Sequence, residues 1–273
     1  MTSRSPEEAE VLARFAWQYP LCQAQTMLEI ERDVCGCDFG STGWATKEEA
    51  EQIGTLLQLA PGKRLLDLGA GSGWPGLYLA SRSGCEVALA DIPVEGMRIA
   101  AERATADGLA GRAWAVASDG AALPFTDASF DAIEHSDVLC CLEAKIAVLA
   151  ECRRVARDAG RMVFSTISFA SSLSSADRRQ ALTAGPPFMI ASSDYPAMLS
   201  ETGWRTEQRL DLTADYGAAV ERFLSAAEAK KEALIEIFGE SDLAEVMAKR
   251  RRTVAAIKRG LLRRELFATS AAA

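Results

Sequence analysis

From Arg64 to Thr166 the chain alternates short β-rich runs with longer stretches in which apolar residues recur every three to four positions. The runs are RLLDL (64–68), EVALA (86–90), RAWAVA (112–117), FDAIEH (130–135) and RMVFSTI (161–167). Between them, Met97, Ile99, Ala100 and Ala104 fall close to helical spacing, as do Ile146, Leu149 and Val155 ahead of a Gly160 stop. Strands alternating with helices predict βαβ units in a parallel sheet.

The flanks follow other periods. Before the sheet, SPEEAEVLARFAWQY has a Ser5 cap and early glutamates, and AQTMLEIERDV and TKEEAEQIGTLLQL read as further helices. After the fifth strand come a serine-rich turn, a Pro186-Pro187 loop, a short helix near DYPAMLSETG and a strand WRTEQRLDLT. A helical insert over about 214–259 carries Tyr216, Val220, Phe223, Leu224 and Ala227 on one face, and LLRRELFAT reads as the last strand. The predicted organisation is an N-terminal helical cap and loop over 1–46, a core over 47–213 and 260–270, and a lid over 214–259. The terminal Ser-Ala-Ala-Ala reads as a frayed end.

Composition changes little in this picture. Hydrophobic residues are 49% and charged residues 25% of 273, as in an ordinary globular chain. The acidic start and the lack of an apolar run near 20 residues argue against a signal peptide or membrane span, so a cytoplasmic location is expected. Seven scattered cysteines fit reduced thiols, and no metal site is expected. A formal charge of −8 argues against a general polyanion binder.

The chemistry concentrates in LLDLGAGSGWPG (65–76), which contains two glycine registers, one starting at Gly69 and one at Gly71. Glycines after a first strand let backbone amides approach a ligand at a helix N-terminus. Strand one ends near Leu68, so the turn begins at Gly69. Asp67 can face a positively charged amino group, whereas a dinucleotide pyrophosphate would be repelled by it. Trp74 and Pro75 are expected in the first helical turn. Asp91, directly after strand two, is placed to accept from ribose hydroxyls. Asp119 is placed to accept from an adenine amino group, with Gly120 beside the ring.

Together, Asp67-x-Gly69-x-Gly71-x-Gly73, Asp91, Asp119-Gly120, LPFTDASFDAI and ECRRVARDAGRMVFS resemble the class I S-adenosylmethionine-dependent methyltransferases, in the branch acting on ubiquinone, sterols and small molecules. The resemblance covers about residues 40–168. It implies a Rossmann-like α/β fold, a seven-stranded sheet of order 3-2-1-4-5-7-6 with the last strand antiparallel. It also implies S-adenosylmethionine as cofactor, S-adenosylhomocysteine as product, and a small-molecule acceptor with an N, O or C nucleophile. Cofactor contacts are expected from Trp44, Asp67, Gly69, Gly71, Gly73, Trp74, Asp91, Ile92, Asp119, Gly120 and His135. Trp44, in the loop before the core, is either a cover for the methionine end or a packing tryptophan. A homodimer is left open.

In sugar-methylating relatives a histidine pair follows strand four, but Cys140 and Cys141 stand here. His135, the chain's single histidine, and Asp137 are the candidate bases, and an acceptor that is already nucleophilic would need none. Two alternatives remain. An arsenite-type reaction could use Cys35, Cys37, Cys140 and Cys141. An RNA or protein acceptor could meet the basic helix at 249–259, although an acidic chain without an RNA-binding module is not expected to bind nucleic acid. One arginine of that run, for instance Arg252, could instead point inward to an acceptor's anion.

Overall fold

The computed structural model describes residues 4–272. The first three positions of the expected N-terminal cap and the last alanine of the chain lie outside them. Seven strands form one sheet in the order β3-β2-β1-β4-β5-β7-β6. They are β1 (Arg64–Leu68), β2 (Glu86–Asp91), β3 (Ala113–Ala117), β4 (Phe130–Ser136), β5 (Ala156–Phe169), β6 (Trp204–Asp211) and β7 (Leu262–Ala271). β7 runs antiparallel to both β5 and β6, and the other pairings are parallel. This is the Rossmann-like order that the family resemblance implies.

Alternation along the strands builds two cores. Leu65, Val87, Leu89, Ala132 and Val163 face one layer, while Leu66, Ala88, Ile133, Met162 and Phe164 face the other. Both faces are covered, so the strands read as nearly continuous apolar runs. Each large apolar side chain taken fully out of water contributes roughly 1.5–3 kcal/mol.

Three helices precede the sheet: α1 (Pro6–Leu21), α2 (Gln25–Cys35) and α3 (Lys47–Leu56). Ser5 and Thr46 cap α1 and α3, each accepting a backbone amide at 3.2 Å. Within the core lie α4 (Gly76–Ser83), α5 (Val94–Ala106) and α6 (Lys145–Val155). α6 ends five residues before the expected Gly160 stop, because Ala156 already has extended geometry and pairs with Phe130 in the sheet. After β5 the structure adds a helix where the sequence suggested only a serine turn, α7 (Ser175–Ala184), capped by Ser174, and then α8 (Tyr195–Glu201). The segment between β6 and β7 is three helices, α9 (Thr213–Ala229), α10 (Lys231–Phe238) and α11 (Glu240–Lys258), broken at Lys230 and Gly239. Ser270 pairs with Arg161 and Arg205, so the end expected to fray is still in the sheet there. Among the described residues no helix is long and apolar enough to cross a membrane.

Candidate active site

The loop after β1 turns through two left-handed glycines, Gly69 at φ 71° and Gly71 at φ 51°. A Cβ on Gly69 would collide with Val138, and one on Gly71 would sit 2.9 Å from the Tyr19 ring. The amides of Gly69 and Ala70 both donate to the Ala90 carbonyl, which ties the loop to the end of β2. Gly73 shapes the turn from behind, where its amide donates to Ala70 at 2.7 Å. Trp74 and Pro75 precede α4 rather than occupying its first turn, since Gly76 is the first helical residue. Its amide donates to Asp67 Oδ2 at 2.9 Å, so one oxygen of Asp67 is committed to holding the loop.

Asp67 has a neighbour that the motifs did not reveal. β1 and β4 are registered so that Asp67 stands opposite Glu134, and both are buried. Burial pushes the Asp67 carboxyl up to about 6. Burial and then the Asp67 charge push Glu134 well above the ordinary carboxylate range. Two adjacent carboxyls out of water cannot both ionise at low cost.

The other two aspartates are met by the N-terminal segment. Asp91 Oδ1 accepts from the Ile92 amide at 2.7 Å, and its Oδ2 accepts from the Gly71 amide and the Tyr19 hydroxyl, both at 2.9 Å. Asp119 accepts from the Ala121 amide at 2.9 Å and pairs with Arg4 at 2.5 Å. The Ser5 hydroxyl donates to Glu143 at 2.8 Å. The chain from Arg4 through α1 is therefore tied to the end of β2 and to the loops after β3 and β4. Nothing local in the sequence marked Arg4 or Tyr19, because their partners are distant in the chain.

A cavity of about 580 Å³ lies between the glycine loop, α1 and α11. Trp44, Asp67, Gly69, Gly71 and Trp74 line it, as do Asp91, Ile92, Asp119, Gly120 and Asp137. Gly73 and His135 are not part of its wall, contrary to expectation. His135 shares strand parity with Ile133 and so faces the opposite layer. Its ring stacks on Phe164 at 4.7 Å, and neither nitrogen has a hydrogen-bond partner. Burial pushes its pKa down to about 3. The imidazole thus lies behind the sheet, away from the cavity wall.

Asp137 reaches the cavity through a left-handed backbone, φ 58°. It is not a free base. Both carboxylate oxygens lie 3.0 Å from Arg264 Nε, and the same guanidinium donates to Glu49 at 2.6 and 2.8 Å and to the Ser165 hydroxyl at 2.9 Å. Both of its oxygens are therefore already engaged by a buried guanidinium.

The loop over 41–45 folds into the cavity wall. Trp44 meets Tyr216 and Phe223 edge-on at 5.4 and 6.2 Å, and the Arg250 guanidinium lies 4.7 Å over its ring. The basic run of α11 divides by helical phase. Lys249 and Arg250 line the cavity, whereas Arg252, the arginine expected to point inward, is exposed and donates to the Thr183 carbonyl. Arg251, Lys258 and Arg259 pair with Glu228, Glu221 and Asp177. The phase is set by Thr253, which is buried and donates to the Ala184 carbonyl at 2.6 Å.

The thiols proposed for a metalloid are dispersed. Cys140 and Cys141 line the large cavity, Cys35 lines a separate one of about 100 Å³, and the Cys37 thiol donates to Glu31. Among the described residues no group of three or more His, Cys, Asp or Glu side chains is placed to hold a metal ion.

Comparisons with known proteins agree with this geometry. Residues 66–164 match the family model described as a methyltransferase domain. Methyltransferase GfsG of Streptomyces halstedii is 28% identical over 167 residues, covering 58% of this chain and 59% of that protein. The 27-O-demethylrifamycin SV methyltransferase of Amycolatopsis mediterranei is 28% identical over 192 residues, covering 66% and 71%. The chain thus spans less than two thirds of the first relative's length. Among solved structures, the 4+2 cyclase SpnF shares the fold with a TM-score of 0.79 and 18% identity over 99% of this chain and 98% of that one. The sheet order, the glycine loop and the matched segment agree in giving the chain a methyltransferase domain with the class I S-adenosylmethionine-dependent fold, the family match itself lying over residues 66–164.

Proposed function

We propose that the chain transfers a methyl group from S-adenosylmethionine to a small-molecule acceptor enclosed beneath the helical lid. The observation that carries this reading is the single chamber of about 580 Å³, walled on one side by the glycine loop and Asp91 and Asp119, and on the other by α1 and α11. Its size is ordinary for a site that encloses small molecules. Asp91 is assigned to the ribose hydroxyls, Asp119 and the Gly120 backbone to adenine, the Gly69–Gly71 backbone to the methionine end, and Trp44 to its cover. The cofactor supplies an electrophilic methyl carbon on a sulfonium. The chain's own contribution is to hold the acceptor in line with that carbon and exclude water. With His135 sealed off and Asp137 bound to Arg264, an acceptor that is already nucleophilic is favoured over one that must first lose a proton. Kinship with the rifamycin methyltransferase supports an acceptor of the natural-product kind.

An RNA acceptor has less support, because the outward cations of α11 are matched by acidic partners. The test is calorimetric titration with S-adenosylmethionine, S-adenosylhomocysteine and NAD, repeated on Asp91→Ala. The adenosyl-sulfur compounds should bind, NAD should not, and the variant should lose about tenfold or more in affinity, the value of one or two charge-assisted hydrogen bonds. Binding of NAD alone would overturn the reading. Because the same fold occurs in a cyclase, release of S-adenosylhomocysteine in an acceptor screen must follow before transfer itself is accepted.

A further inference from the structure

Three cations meet on the lid side of the chamber without an acid bound to any of them. Arg14 comes from α1, and Lys249 and Arg250 come from α11. Among the described residues none of the three forms an ion pair, although Arg251 and Lys258 on α11 do. Glu8, Asp242 and Glu245 also border the cavity, yet none reaches ion-pair distance of these cations. The Arg250 guanidinium is fixed over Trp44, and its Nε is buried with no acceptor. Lys249 is pushed down to about 8, first by burial and then by the charges of Arg14 and Arg250. Like charges gathered in a partly dry wall, with a donor left unsatisfied, are unfavourable until an anion arrives.

We infer that Arg14, Lys249 and Arg250 seat an anionic group of the acceptor, a phosphate or carboxylate, and so orient the molecule with its nucleophile toward the glycine loop. The inference rests on the methyl-transfer reading and names its substrate class. Two guanidinium groups and an ammonium match oxyanions well, and a multiply charged phosphate group matches three positive charges better than a single carboxylate. The cations are supplied by both ends of the chain, so the seat exists only when α1 and α11 close together over the sheet.

The full-length protein would be titrated by calorimetry with sodium pyrophosphate and, separately, sodium acetate at fixed ionic strength, with and without S-adenosylhomocysteine. Wild type should bind at least one probe. Arg14→Met and Lys249→Met should each weaken it about tenfold or more. Arg251→Met and Arg252→Met, on the outward face of the same helix, should leave it within about twofold. Stronger binding of pyrophosphate assigns the seat to phosphate, and stronger binding of acetate assigns it to carboxylate. No binding of either probe, or equal weakening by the outward substitutions, overturns the inference. The S-adenosylhomocysteine titration separates the two claims. Cofactor binding without anion binding removes only this inference. Anion binding without cofactor binding keeps the seat and removes the methyl-transfer reading.

Discussion

Arg264 holds Asp137 through Nε, 3.0 Å from each carboxylate oxygen, and turns its other nitrogens to Glu49. Three charges, from β7, the turn after β4 and α3, thus meet in the interior, joining the sheet to the helix that follows the Trp44 loop. Removing the centre leaves two buried carboxylates unpaired. Arg264→Leu is expected to lose about 3–5 kcal/mol of stability, measured as a lower urea midpoint at unchanged slope. A loss below about 1 kcal/mol would show that the group is not a keystone.

His135→Phe should leave turnover within about twofold and its pH profile unmoved, because the ring already stacks among aromatics and has no polar partner. Stability should hold or rise, since a buried polar ring without hydrogen bonds is replaced by an apolar one. A turnover loss of the size expected for a general base, about a hundredfold or more, would return His135 to the active site.

The Asp67–Glu134 pair gives stability a pH dependence of known sign. Both carboxyls have native pKa values above the ordinary 3.8 and 4.5, so the folded chain binds more protons than the unfolded chain once pH exceeds those values. Stability therefore falls as pH rises from about 4 to above 6. Glu134→Gln should gain on wild type across that window. Urea midpoints at three pH values would check it, and a difference that stays constant with pH would show that no proton is shared.

The contacts Arg4–Asp119 and Tyr19–Asp91 fasten α1 across the cofactor side of the cavity. Arg4→Ala combined with Tyr19→Phe should loosen that strap. Stopped-flow tryptophan fluorescence should then show S-adenosylhomocysteine entering and leaving several-fold faster. Unchanged rates would mean that α1 does not limit passage.

What could be read in the chain follows from how locally each feature is specified. Asp67, Gly69, Gly71, Asp91 and Asp119 stand at strand ends, where two short patterns fix both position and direction. The chemistry of His135 points to the site, whereas its strand parity points away from it. Ile133 and His135 point the same way, and Ile133 belongs to the core opposite Ala132. Asp137 was placed at the correct edge, but its captor Arg264 looked like one of two arginines in a strand, and Glu49 lies 215 positions away from it. Arg252 and Arg250 differ in the sequence only by helical phase. Two residues turn a helix by about 200°, and only packing against α7 reveals the true angle.

The Thr253 bond to Ala184 has a consequence for how the chamber could change its character. Moving that anchor one position later along α11 would advance the helix by about 100°, carrying Arg250 and Arg251 into the places of Lys249 and Arg250. Moving it one position earlier would bring Ala248 and Lys249 there instead. The unbroken basic run from Lys249 to Arg252 therefore makes the inner charge tolerant of slippage in one direction and sensitive to it in the other. Like the teeth of a ratchet, the outward arginines stand ready to replace the inward ones.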